Sequence, residues 1–304
     1  MTSDAKAAVE DLIDRIESST GRVTAEDIEP YLDHDEQVVR KRAADAAFAV
    51  ASNEPSEIVP LVDRLIEMAD DGFIANRQSA FGALGAIAAE DPAAVEDGFD
   101  TYVEGLQAST PRTRIRAARS FALVVGENPE LAVGSLDDIV AAVDVEEPDE
   151  PVTEQAGFAG QPDPAAEMVA EDVSNHEFAR ELASNALVDA VEVAPEAVAE
   201  YADAIRPWLD DGNTMIVSAA IDVYSALAAE GYDLPDDLSD HIEAGLVDAP
   251  VEVQARAIRA LGYLEATDAV DTLRDLAQTT DEDELASLAT DTADYLDRED
   301  DPAE

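Results

Sequence analysis

Cysteine is absent from the 304 residues, so disulfides, thiolate metal ligands and cysteine nucleophiles are excluded together. Lysine is almost absent: Lys6 and Lys41 are the two lysines among 18 basic residues, and the rest are arginines. Aromatic residues make up only 5% although apolar residues reach 46%. A core of alanine and aliphatic side chains is a helix-on-helix composition, because small side chains let helix backbones approach closely. Long apolar runs are missing too. The longest are pieces such as Ala46–Ala51, far short of the ~18 residues that a membrane span requires. Met1–Leu12 carries three acids and no apolar stretch, unlike a secretory signal. The expectation is a cytoplasmic protein that makes no membrane contact.

What the chain has in excess is acid. Asp and Glu number 71, for a formal net charge of −53. They run through every segment and are not gathered into one tail, so a disordered acidic arm does not account for them. Such a surface repels itself at ordinary ionic strength. At about 1 M salt the Debye length falls to about 3 Å and most of that repulsion disappears. The composition therefore points to a protein built for molar salt, as in the cytoplasm of a salt-accumulating halophile.

The second abundant feature is a repeat. Ala43, Ala80 and Ala117 are spaced by 37 residues; Ala183, Ala220 and Ala257 follow the same step after one gap of 66. Four residues beyond each stand Ala47, Leu84, Phe121, Leu187, Tyr224 and Leu261. A second series, Ile28, Leu65, Tyr102, Ile139, Ile205 and Ile242, keeps the same period. Four residues further on lie Leu32, Ala69, Leu106, Val143, Leu209 and Leu246. Spacings of four place each pair on one helix face. Each repeat then reads as a first helix (A), an Asp- or Gly-rich turn, and a second helix (B) whose alanine column faces helix A. Pro55, Pro92, Pro129 and Pro195 separate repeats and belong in the first turn of the next A helix. A fixed period near 40 with helical punctuation means stacked helix pairs.

The expected organisation is a single all-α solenoid, a right-handed α-α superhelix of six to seven helix pairs. Residues 1–22 form an N-terminal cap helix, and 24–143 hold repeats 1–3 with helix A of repeat 4. Residues 144–174, rich in proline, glycine and acid, read as a disordered insertion, with a short helix compatible with Pro164 to Asp172. Residues 175–266 complete repeats 4–6, 267–298 form a C-terminal cap pair, and 299–304 are an acidic tail.

The B-helix stretch Val253-Gln254-Ala255-Arg256-Ala257-Ile258-Arg259-Ala260-Leu261-Gly262-Tyr263-Leu264 resembles the HEAT-repeat family, with Gln254 where that pattern has arginine. Asn76–Ile87 and Val39–Val50 fit the same pattern with local departures. The resemblance implies a scaffold and not a reaction, since the fold hosts many functions. It also implies a ladder in which an early B-helix arginine pairs with a turn aspartate. Arg40, Arg77, Arg114 and Arg180 hold the arginine position, whereas Val217 and Gln254 interrupt it.

Arg112, Arg114, Arg116 and Arg119 fall within eight residues. Arg112, Arg116 and Arg119 share a helix face, with Arg114 in the ladder column. Two readings stand side by side: pairing with Glu96, Asp97, Asp100 or Glu104, or, together with Arg77, a basic patch on the concave B-helix side that captures an acidic or phosphorylated partner segment. Phe158, alone in the insertion, is a second candidate contact. The overall charge opposes nucleic-acid binding, which needs a net basic groove. His34, His176 and His241 fall at three different repeat positions and read as solvated or capping side chains, so no metal site is expected. There is no Gly-x-Ser-x-Gly, no phosphate-binding glycine loop and no cofactor motif. The leading expectation is a non-catalytic protein-binding scaffold. A HEAT-like lyase or other small-molecule enzyme stands second and a nucleic-acid-associated protein third.

Overall fold

The computed structural model describes residues 2–18, 21–145, 164–246 and 249–299, and among them every regular element is a helix. The residues group into two compact units, 1–131 with 137–183 and 132–136 with 184–304.

The first unit holds the cap α1 (Thr2–Ser18) and A/B pairs α2 (Ala25–Leu32) with α3 (Gln37–Ala51), α4 (Val62–Ala69) with α5 (Ile74–Ala88), and α6 (Phe99–Leu106) with α7 (Pro111–Glu127). Then come α8 (Leu136–Val143) and the beginning of α9 (Pro164–Val193). The B helices α3, α5 and α7 pack on their own A helices α2, α4 and α6, α5 lies between α3 and α7, and α1 covers α2 and α3. The second unit continues α9 and adds α10 (Pro195–Ala199), α11 (Ala202–Ile205), α12 (Thr214–Ala229), α13 (Leu238–Leu246), α14 (Val251–Tyr263), α15 (Val270–Thr279) and α16 (Asp283–Glu299). There α12 packs on α14, and α16 on α14 and α15.

The repeat columns form the core. All six column alanines and all six residues four places on are buried, as are Ile28, Leu65, Tyr102, Ile139, Ile205 and Ile242. The alanines matter because they set helix separation. A Cβ placed on Gly105 of α6 would collide with the Ala117 Cβ and come within 2.9 Å of the Phe81 ring, so that contact is closed to any larger pair. Tyr102 keeps its hydroxyl satisfied by donating to the Val95 carbonyl at 2.9 Å, and burial raises its pKa.

Three expectations are corrected. Pro55, Pro92 and Pro129 open short 3-10 turns that lead into the A helices and do not themselves start α-helices; Pro195 alone does. Leu209 is only half-buried, and Trp208, 1% exposed, fills its place. Residues 206–210 form a 3-10 turn around Pro207, and its three residues per turn rotate Trp208 inward. The helix allowed from Pro164 to Asp172 does not stop within the insertion: residues 164–174 are the opening turns of α9, with Pro164 in the first helical position where its missing N–H costs nothing. Residues 146–163, the remainder of that insertion, lie outside the described residues. No described helix is long and apolar enough to cross a membrane.

Candidate partner-binding groove

The column alanines and the residues four places on turn towards the A helices, so residues two, five and nine places on lie on the opposite B-helix face. In the first unit those positions combine small residues with rings. Phe48, Gly85 and Ala122 occupy one column, and Gly82 and Arg119 another. Together with Phe81, Ala86, Ala89, Arg116, Leu123, Phe178 and Leu182 they line a groove of about 520 Å³ across α3, α5, α7 and the first half of α9.

Two arginines lie over two rings there. The Arg116 guanidinium sits 5.0 Å from the Phe48 ring centre, and that of Arg119 5.8 Å from Phe178. Arg116 also donates from Nη1 to the Gln78 carbonyl. Gly82 makes this possible, because a Cβ there would meet Arg116 Nη1 and Phe48 Cδ2 both at 3.0 Å. Burial, then the like charges of Arg112 and Arg119, lower the Arg116 pKa, with Asp45 opposing; the guanidinium nonetheless stays charged near neutrality. Phe178 is 41% and Leu123 37% exposed. No acid lines this groove. A planar cation held over a ring keeps edge donors for carboxylate or phosphate, while the rings and alanines offer an apolar floor.

The arginine cluster is therefore divided. Arg116 and Arg119 belong to the groove. Arg112 is exposed and pairs with Glu171 at 2.5 Å, not with Glu96, Asp97, Asp100 or Glu104. Arg114 is buried, and Arg77 half-buried, and neither lines the groove. Phe158 lies outside the described residues. The ladder is realised at Arg40, whose Nε donates to Asp71 Oδ2 at 3.0 Å and whose Nη1 donates to the His34 carbonyl at 2.9 Å. Burial opposes the charge on Asp71, but the nearby Asn76 amide, the Phe73 backbone N–H and Arg40 together hold its carboxyl below the usual range. Arg77 makes no such pair, which corrects that expectation: the turn it faces has Ala108 where the previous one has Asp71. Phe48, Phe178, Gly82 and Leu123 are groove residues that the sequence reading misses. For Phe48 the signal is the juxtaposition of phenylalanine with Gly85 and Ala122 in one repeat column, visible only once the B-helix face is known; Phe178 and Leu123 stand outside that column.

The histidines also divide. His34 Nδ1 accepts from the Glu36 backbone N–H at 3.0 Å, and His241 Nε2 lies 3.0 Å from Asp210 Oδ1. His176 is 2% exposed, so it is a core side chain and not a solvated one. Among the described residues no group of His, Cys, Asp and Glu has the arrangement to hold a metal ion.

No family model matches the sequence, and no curated protein matches it significantly. Solved structures do. An archaeal HEAT-like repeats protein from Thermococcus onnurineus superposes with a TM-score of 0.53 at 13% identity, over 91% of this chain and 98% of that one. A designed armadillo repeat protein in complex with the peptide (KR)4 gives 0.53 at 15% identity, over 80% and 100%. A chain from a structure of the phosphorylation-controlled cadherin–β-catenin interaction gives 0.58 at 13% identity, over 90% of this chain and 52% of that one. At these identities the likeness establishes the fold: a helical-repeat α-solenoid of the HEAT and armadillo kind.

Proposed function

We propose that this chain is a non-catalytic scaffold that binds an extended partner segment in the groove of its first unit. The segment carries an apolar side chain for the floor between Phe48 and Phe178, flanked by carboxylate or phosphate groups for Arg116 and Arg119. One observation carries the reading: on a chain of net charge −53, this groove is lined by two arginines, three phenylalanines and no acid. Its surroundings repel acidic segments, so an acidic occupant is selected by the groove itself and not by the general field. A fold neighbour holds a peptide, which supports an extended segment as the kind of ligand; the sign of the lining charge favours an acidic one here. The acidic exterior suits a cytoplasm of molar salt, where the general repulsion is screened and these short-range contacts persist.

The test is fluorescence anisotropy with labelled peptides that place leucine or phenylalanine between glutamates or phosphoserines, against lysine-flanked counterparts, in molar KCl. The full chain binds the acidic set at least tenfold tighter, and Arg116→Glu with Arg119→Glu reverses the preference. Equal binding of both sets, or a preference that survives the double reversal, rejects the reading.

A further inference from the structure

Among the described residues the ladder column contains one rung filled by a carboxylate and two that lack one. Arg40 meets Asp71, 31 residues on. The same step from Arg77 reaches Ala108 and from Arg114 reaches Val145, and neither offers a side-chain acceptor. Arg114 is 5% exposed, and its Nε is buried without a hydrogen-bond partner. The Nε of Arg77, on the neighbouring B helix, is in the same condition. Neither arginine has an ion pair or side-chain hydrogen bond among the described residues. The two helices are in register at this level, since Gln78 Nε2 donates to Thr113 Oγ1 at 3.4 Å.

A guanidinium remains protonated even where burial lowers its pKa, as it does at Arg114. A buried, unpaired charge is strongly destabilising, and buried polar atoms are ordinarily satisfied. The fold does not demand arginine here. Gln254 holds the same repeat position and is satisfied by donating to the Leu246 carbonyl at 3.0 Å, and Val217 holds it in the preceding repeat. Arg114 therefore keeps a charge that packing alone would not retain.

We infer that Arg114, with Arg77 on the adjacent rung, is a binding site for a carboxylate anion, which takes the place that Asp71 fills for Arg40. The filled rung shows the chemistry that fits: one carboxylate oxygen on Nε at hydrogen-bond distance, in a position sheltered from water. The carboxylate is supplied either as a small free anion or as an acidic side chain of a bound segment. This site shares no residue with the groove lining, so it stands or falls separately.

The experiment observes the arginine Nε–Hε resonances of the full chain labelled with 15N-arginine. Sodium formate replaces sodium chloride at constant ionic strength, and the Arg114 signal is assigned by its loss in Arg114→Gln, which copies the residue at 254 and preserves the fold. The Arg114 signal moves and saturates, while the Arg40 signal, its slot already occupied, stays in place. Val145→Asp supplies the carboxylate in cis and abolishes the response. A parallel arm uses a short aspartate-containing peptide: saturation by formate identifies a free anion as sufficient, and a shift with the peptide alone identifies a side chain. The inference is overturned if neither moves Arg114, or if Arg40 and Arg114 shift together without saturation. The Arg116→Glu, Arg119→Glu background leaves the formate response intact, which separates this result from that of the groove.

Discussion

Arg116 in the first unit and Arg256 in the second occupy the same repeat position, one residue before the column alanine. Their surroundings differ first at one B-helix position, Gly82 against Asp222. Arg256 reaches back to the preceding B helix and pairs with Asp222 at 2.9 Å. At the equivalent place Arg116 finds Gly82, so it turns onto Phe48 and the Gln78 carbonyl. The clefts follow suit. The second unit opens one of about 470 Å³ in corresponding columns, with Arg259, Gly262, Tyr263 and Tyr295, but Glu265 and Asp291 share its lining. The described residues thus present two clefts, one whose arginine shares the lining with two acids and one whose two arginines line it with none. The repeat supplies the cleft; the departures from the repeat supply its charge.

That comparison presumes the columns are structurally equivalent, and the strongest way to break it is to overpack them. Ala80→Leu and Ala257→Leu each place three extra carbons at a buried helix contact, where Ala80 is fully buried and Ala257 2% exposed. Each should cost about 1–3 kcal/mol, read as a lowered midpoint in denaturant at fixed salt. A large loss in one unit with none in the other would show that the alanine column does not set helix spacing alike in both.

Much of this architecture is legible in the amino-acid sequence. The column Ala43 to Ala257 and its partners four places on are periodic because each repeat solves the same packing problem, and periodicity survives without knowledge of contacts. Trp208 and the 3-10 leads at Pro55, Pro92 and Pro129 are not legible there, since they depend on local winding that shifts phase by about one residue. The groove is half legible. Arg116 and Arg119 stand out as charges against an acidic background, whereas Phe48 and Phe178 lie far apart in sequence and meet only through the stacking of α3, α7 and α9. Arg114 falls among them by proximity along the chain, yet 3.6 residues per turn carry it to a different face.

A second asymmetry runs along the ladder, between the filled rung at Arg40 and the empty one at Arg114, and Asp71→Asn sharpens it. Asp71 accepts from Arg40 and from the Phe73 backbone N–H at 2.8 Å, so its charge is worth about 1–2 kcal/mol near neutral pH. Its folded pKa is lowered, so this contribution is present above the ordinary carboxylate value and is lost as pH falls through the lower, folded one. The variant should be less stable at pH 7 and converge with the parent at the acid end. Urea titrations across pH test this, and a gap that stays constant into acid would show that the amide fails for packing and not for charge.

The smallest effect bears most directly on the two B-helix faces. Asp222→Asn removes the charge from a pair whose side chains are 38% and 37% exposed, so its stability cost should lie at about 0–1 kcal/mol in dilute buffer. In molar KCl, where the Debye length is about 3 Å, the cost should shrink further. The informative readout is not stability but binding. If an acid at this position is what keeps the second unit's arginine inward, the variant should gain measurable affinity for acidic peptides through Arg256, where the parent is expected to have none. Acquisition of that affinity would make Gly82 and Asp222 the residues that decide which face binds. Its failure to appear would assign the difference to Phe48 and Phe178, which the second unit lacks, and would mean that an unpaired arginine must be held over a ring before it can bind a partner.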